Sequence, residues 1–260
     1  MIEDNLSNFE FLIYFPSIFV KNKEKTNILL YYRETKRVRN KMPEVIYSGP
    51  DGRLEGRIHT VEGRRSPVAL ILHPLPQFGG NMNNPIIYHL YQTFLKRGFS
   101  VLRFNFRSVG KSQGSFDQGI GELSDAAASL DWLQSQVPDS RGCWVAGYSF
   151  GAWIAMQLLM RRPEIEGFIS IAPPANMYDF NFLAPCPSSG IIIHGQEDKV
   201  VPEEDVQRLT EKLQAQKNIE VEYESIPRAN HFFEKEHDIL VNKVNDYLDT
   251  RLVSSDFDIG

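Results

Sequence analysis

Gly147-Tyr148-Ser149-Phe150-Gly151 follows directly on an apolar run at 143–146 and leads directly into an apolar, helix-forming stretch. A strand that turns this sharply into a helix forces strained backbone angles on the central serine, and a side chain at either glycine would collide with neighbouring backbone. The Ser149 hydroxyl would then stand above a sheet edge at the positive end of a helix, where a developing negative charge is favoured. A serine hydroxyl is a weak nucleophile until a base removes its proton, so the pattern demands a histidine further along. Of the six histidines, His231 is the candidate, because Ala229-Asn230-His231-Phe232-Phe233 reads as a loop between a short strand and the final helix. A third group must hold that imidazole in one tautomer and stabilise its positive charge. Gly195-Gln196-Glu197-Asp198-Lys199-Val200-Val201-Pro202 follows a buried strand, and Asp198 is its natural candidate, with Glu197 beside it and Asp179 a more distant rival.

The tetrahedral intermediate of such an attack needs two backbone N–H donors aimed at its oxyanion. One is expected from Phe150, the residue after the nucleophile. The other is expected from His73-Pro74-Leu75-Pro76-Gln77-Phe78-Gly79-Gly80-Asn81, the loop after an apolar run at 68–72. Pro74 and Pro76 have no N–H, so Leu75 is the expected donor, with Gln77 or Phe78 in reserve. His73 is expected to brace the loop by hydrogen bonding, and Gly79-Gly80 to allow close backbone packing. His194 ends a strand and reads as structural, while His59, His89 and His237 lie on strand or helix faces with no partner in register. None stands at a metal-ligand spacing with Cys, Asp or Glu, so neither a metal nor a cofactor is expected. Gly110-Lys111-Ser112 looks like the end of a phosphate-binding loop, but that pattern requires glycine where Asn105 stands.

Positioning these groups takes a scaffold. From Pro43 onward short apolar runs alternate with amphipathic helices, the signature of a mostly parallel sheet covered on both faces. The runs 68–72 and 191–193 are apolar at both parities and read as central strands. Further strands are expected at 101–106, 143–146 and 168–171, whereas 219–223 alternates apolar residues with glutamate and belongs nearer an edge. Helices are expected at about 85–97, 121–136, 150–161, 203–216 and 237–252, the third apolar almost all round and so the most buried.

The 260 residues, 42% hydrophobic and 23% charged, fit one globular domain. A net charge of -5 without a long basic block leaves no footprint for nucleic acid. Two cysteines, Cys143 in an apolar run and Cys186 between two prolines, make a poor disulfide framework, and a cytoplasmic location is expected. The apolar stretch 11–20 is short, contains Pro16 and follows Glu3, Asp4 and Glu10, so neither a signal peptide nor a membrane span is expected. Residues 1–41, without a sustained period, are expected to be an extension: either a non-native upstream reading with Met42 as the start, or a docking arm or peripheral membrane contact. Residues 42–253 form the expected domain and 254–260 a flexible tail.

Over about residues 42–252 the chain resembles the α/β-hydrolase superfamily, and within it the small, lidless bacterial hydrolases related to dienelactone hydrolases and carboxylesterases. The elbow at Ser149, the His73-Pro74 loop ending in Gly79-Gly80, the acid loop from Gly195 to Pro202 and Asn230-His231-Phe232 carry the resemblance in their order. It implies a three-layer α/β/α sandwich on a mostly parallel, about eight-stranded sheet, with one antiparallel strand near the start. It also implies a serine hydrolase that cleaves a small ester or thioester through an acyl-enzyme. Phe104-Asn105-Phe106-Arg107-Ser108-Val109-Gly110-Lys111-Ser112 resembles the family's structural D-x-R-G-x-G-x-S loop, with Asn105 in place of the aspartate and Ser108 in place of the first glycine. Only residues 172–189 are available where many relatives insert a cap, so no cap domain is expected. The implied site is shallow, lined by Gln77, Phe78, Tyr148, Asn176, Tyr178 and Phe232, and suited to a small-molecule acyl substrate rather than a large interfacial lipid. An acyltransferase using the same three residues, a non-catalytic ligand-binding protein on the same fold, and a homodimer stay open.

Overall fold

The computed structural model describes residues 43–61 and 65–254. The extension expected at 1–41 and the tail expected at 254–260, apart from residue 254, lie outside the described residues. Eight strands form one sheet: β1 (Glu44–Gly49), β2 (Gly52–His59), β3 (Val68–Leu72), β4 (Ser100–Phe104), β5 (Cys143–Tyr148), β6 (Ile165–Ile171), β7 (Ser189–Gly195) and β8 (Val221–Ile226). Their order is β1-β2-β4-β3-β5-β6-β7-β8. Strand β2 is antiparallel to both of its neighbours, and the pairings from β4 across to β8 are parallel. The helices are α1 (Pro85–Lys96), α2 (Ile120–Gln136), α3 (Phe150–Leu159), α4 (Glu203–Gln214) and α5 (His237–Ser254). This is the α/β/α sandwich that the alternation of apolar runs and helices implied. Residues 172–188, between β6 and β7, hold only a short 3-10 turn at Asn181–Leu183, and no cap is built there.

Both parities of the central strands are apolar because each faces a helical layer. In β3, Val68, Leu70 and Leu72 enter the core shared with α2, α3 and α4, whereas Ala69 and Ile71 enter the core shared with α1 and α5. Ile192 of β7 points to the first layer and Ile191 and Ile193 to the second. Each such fully buried aliphatic side chain stabilises the fold by about 1.5–3 kcal/mol relative to exposure, which is what pins the strand register. Among the described residues strand β8 pairs only with β7; Glu222 is exposed, and Glu224, half-buried, pairs with Lys243 of α5, as an edge allows. Among the described residues no helix is long and apolar enough to cross a membrane.

Of the element bounds that differ from the sequence reading, three have a clear local reason. Strand β4 stops at Phe104: Asn105 N still donates to Glu55 O of β2, but Phe106 N leaves the ladder for His73 Nε2. Helix α3 stops at Leu159 shortly before Pro163, whose ring disfavours a helical residue ahead of it. Strand β8 starts at Val221 instead of Ile219, since Asn218 sits in the left-handed region at φ 69° and Glu220 N donates to Ser189 Oγ.

Candidate active site

Strand β5 delivers the chain to Ser149 and α3 takes it away. Ser149 stands at φ 54° and ψ -121°, a strained conformation for a residue with a Cβ. The flanking glycines are sterically required. A Cβ on Gly147 would lie 2.2 Å from Gly151 O, and one on Gly151 would lie 2.2 Å from Leu72 O. The turn is therefore wedged between its own helix and the end of β3, with the hydroxyl half-buried at the sheet's carboxyl edge.

Two loops bring partners to that hydroxyl. The acid loop leaves β7 at Gly195, where a Cβ would lie 2.4 Å from Ala229 O; only glycine lets the histidine loop approach so closely. Gln196 N donates to Ile226 O and Glu197 N to Ala229 O, which zips the two loops together. Asp198 is buried; its Oδ1 accepts from Val200 N and Val201 N, each at 2.8 Å, and its Oδ2 lies 2.7 Å from His231 Nδ1. Burial alone would raise the Asp198 carboxyl, but the His231 hydrogen bond and the Val201 and Val200 N–H groups outweigh it and hold the group below its ordinary value. The ionised carboxylate can only accept, so Nδ1 of His231 carries the proton and Nε2 is free to take another. Nε2 lies 3.1 Å from Ser149 Oγ. Ser149, His231 and Asp198 thus form one continuous hydrogen-bonded line. Glu197 is exposed, and Asp179 accepts from Asn181 N in another loop, so neither rival reaches the imidazole.

A family model described as X-Pro dipeptidyl-peptidase (S15 family) matches residues 21–251. The chain belongs to the S15 family of α/β hydrolases. This hydrolase is 48% identical over 213 residues to an uncharacterized protein of Rickettsia prowazekii, covering 80% of this chain and 90% of that one. A crystal structure from Agrobacterium tumefaciens, a protein of unknown function assigned to the α/β hydrolases, is 64% identical with a TM-score of 0.81, covering 82% of this chain and 98% of that one. A Xanthomonas campestris structure described as an α/β serine hydrolase without a lid is 31% identical with a TM-score of 0.72, covering 80% and 94% of the two chains.

Two backbone N–H groups of the S15 hydrolase are free to donate. Among the described residues neither Phe150 N, at the first turn of α3, nor Leu75 N has an acceptor. The Leu75 loop is held from behind. Its carbonyl accepts from Phe78 N and Gly80 N, and a Cβ on Gly80 would lie 2.0 Å from Pro74 O, whereas Gly79 takes φ 80° in open space. His73, fully buried, accepts from Phe106 N at Nε2 (3.0 Å) and so must donate from Nδ1 to Pro74 O (2.7 Å). It clamps the Leu75 loop to the segment after β4, and burial pushes its imidazole down to about 4, only partly opposed by the Pro74 bond. An unfolded histidine binds its proton near 6.5, so this contribution to stability is complete above that pH and is lost as the pH falls from about 6.5 to about 4. The loss expected from His73 alone is about 3 kcal/mol. Nitrogen NMR should find ring 73 neutral and protonated at Nδ1 down to about pH 5; titration of that ring near 6.5 would refute the clamp.

In the loop after β4, a carboxylate on another strand, Glu55 of β2, stands in for the aspartate that Asn105 replaces. Asn105 Oδ1 accepts from Met82 N and its Nδ2 donates to Glu55 Oε2 at 2.8 Å, so an aspartate at 105 would set two carboxylates against each other. Ser108, where the family pattern has glycine, adopts φ 64°, a left-handed position that costs a non-glycine residue about 1–2 kcal/mol. The strain is held by its neighbours: Arg107 makes a bidentate buried pair with Asp125 of α2, and Ser112 Oγ donates to Asn105 O.

The residues expected to line the pocket separate into three groups. Gln77, Phe78 (89% exposed) and Phe232 (59% exposed) are open to solvent. Asn176 and Tyr178 are braced by neighbours. Asn176 Nδ2 donates to Val200 O of the acid loop, and the Tyr178 ring stacks on Trp153 of α3 with centroids 4.1 Å apart. Tyr148 corrects the sequence reading: only 2% exposed, it points into the α1/α5 layer because strand alternation puts it opposite the site, and its hydroxyl donates to His231 O at 2.8 Å. It positions the histidine loop instead of touching substrate. His194 is structural, as read, donating from Nε2 to Val201 O at 3.0 Å beside Asp198. His89 and His237 are not partnerless, for their rings meet edge to face at 4.3 Å where α1 and α5 pack. The sequence reading gave Trp153 only to the buried helix, whereas its indole N–H donates to Asp179 O and its ring meets Tyr178.

Proposed function

We propose that this S15 hydrolase cleaves small esters or thioesters through an acyl-enzyme on Ser149. The observation that carries the reading is the line Ser149 Oγ–His231 Nε2 at 3.1 Å and His231 Nδ1–Asp198 Oδ2 at 2.7 Å. As Ser149 Oγ bonds to the carbonyl carbon, its proton passes to His231 Nε2, and the carbonyl oxygen gains the negative charge. Phe150 N–H and Leu75 N–H, free to donate, stabilise that oxyanion together with the positive end of α3. Collapse of the intermediate breaks the bond to the leaving group, which takes the proton from Nε2. Water then repeats the sequence on the acyl-serine, giving a proton to His231, which passes it to Ser149 Oγ as the carboxylic acid departs. The carboxylate of Asp198 stabilises the transient imidazolium in both halves.

A fluorophosphonate probe should label one serine, Ser149, as read by peptide mapping; label confined to any other serine would overturn the assignment. The S15 family is described by an X-Pro dipeptidyl-peptidase, which favours a second reading on the same residues, since this apparatus also cleaves amides. Glycyl-prolyl p-nitroanilide assayed beside p-nitrophenyl acetate separates the two, the ester being expected to turn over and the anilide not.

A further inference from the structure

A cleft of about 570 Å³ opens between the segment after β6 and helix α4, within the range of roughly 300–1,000 Å³ usual for small-ligand pockets. None of Ser149, Asp198 or His231 lines it. Its floor is apolar and buried, formed by Phe180, Leu183, Leu209 and Leu213. Four charged side chains border it, but they cancel: Asp179 and Asp205 are acidic, Arg208 and Lys212 basic, and Arg208 is already paired with Asp205. Such a lining selects neither an anion nor a cation. With Asn181 and Gln216 also on its border, it suits a neutral group that lies against the apolar floor.

An apolar track runs from the serine to this cleft. Trp153, half-buried one turn along α3 from Ser149 with its backbone N–H donating to Ser149 O, stacks on Tyr178, and Tyr178 lines the cleft. Ile120 is 75% exposed and follows Gly119, whose backbone lies so close to Trp153 that a Cβ there would come within 2.3 Å of the indole. Met177, next to Tyr178, is 57% exposed. Large apolar side chains left in water beside Trp153 and Tyr178 have a use when a substrate covers them.

Resting on the ester reading above, we infer that the cleft receives the acyl limb of the substrate, a neutral aliphatic chain of medium length that leaves the carbonyl at Ser149, crosses Tyr178 and lies against α4. The enzyme is thereby a medium-chain acyl esterase with a lateral chain-binding site, and its best substrates are longer than acetate.

The test is the dependence of kcat/KM on chain length for p-nitrophenyl esters from acetate to dodecanoate, with wild type and two tryptophan variants that fill opposite parts of the cleft. For wild type the octanoate-to-acetate ratio should be at least about 10, a small part of what full burial of the added methylenes would give. Ala175→Trp, beside Tyr178, should cut that ratio about tenfold. Ala215→Trp, at the exposed end of α4, should cut the dodecanoate-to-acetate ratio by a similar factor, and it keeps the test decisive should the half-buried Ala175 site not tolerate the larger ring. A flat wild-type profile with Ser149-dependent hydrolysis of acetate overturns the chain site and leaves the ester reading standing. A rise that survives both variants also overturns the chain site. Absence of Ser149-dependent hydrolysis at every chain length overturns both.

Discussion

Ser149→Ala is expected to lower kcat for p-nitrophenyl acetate by at least about 10⁴-fold while KM and thermal stability change little. The large effect follows from what alanine removes. With Oγ gone, no group bonded to the carbonyl carbon can form the acyl intermediate, and His231 Nε2, 3.1 Å from the missing atom, has no proton to take. What remains is the pair of N–H donors at Phe150 and Leu75, which can still polarise a bound carbonyl toward attack by water, so a residue of catalysis persists. Stability is spared because alanine keeps the Cβ. The strain at φ 54° is the same in both chains, the wedge of Gly147 and Gly151 against backbone is untouched, and the only hydrogen bond lost is half-solvated. The measurement is steady-state hydrolysis beside a melting curve; turnover within tenfold of wild type at an unchanged melting temperature would remove Ser149 from the reaction.

The parts of this site legible in the sequence are those whose requirement is local. A serine between glycines at 147 and 151 announces its turn because a Cβ at either place would strike backbone at 2.2 Å, and that constraint acts within a few residues. Gly195 and Asp198 are legible for the same reason, one giving the close approach and the other following it by three positions. What the sequence hides is which elements become neighbours. Nothing in the spacing of His89 and His237 shows that α1 and α5 pack together, and nothing in Tyr148 reveals which of two buried layers its ring enters. The hairpin of β1 and β2 is a weaker case: Gly49-Pro50-Asp51-Gly52 is a turn signal, but the strands beside it alternate too irregularly to declare themselves. The Glu55–Asn105 pair is illegible for the first reason again, since it joins residues 50 apart through the pairing of β2 with β4.

Asp198→Asn should be nearly as damaging as loss of the nucleophile, lowering kcat by about 10⁴-fold, although it changes one atom and keeps the shape. The reason lies on the far side of the carboxylate. Oδ1 accepts from two backbone donors, Val200 N and Val201 N, each at 2.8 Å, and an amide NH₂ placed there would face both of them without an acceptor. Leaving buried donors unsatisfied costs about 1–3 kcal/mol each, so the asparagine must turn its oxygen toward Val200 and Val201. Its NH₂ group then faces His231 Nδ1, where Oδ2 had accepted at 2.7 Å. Nδ1 is forced to accept, the ring proton moves to Nε2, and Nε2 becomes a donor pointed at Ser149 Oγ. An imidazole in that tautomer cannot take the serine proton, however well the three side chains superpose on their wild-type positions. The readout that separates this from simple structural damage is the ring itself: nitrogen NMR should find the His231 proton on Nδ1 in wild type and on Nε2 in the variant. A variant that keeps its activity within tenfold, or that loses it while the proton stays on Nδ1, would mean that Asp198 works through something other than the tautomer it selects.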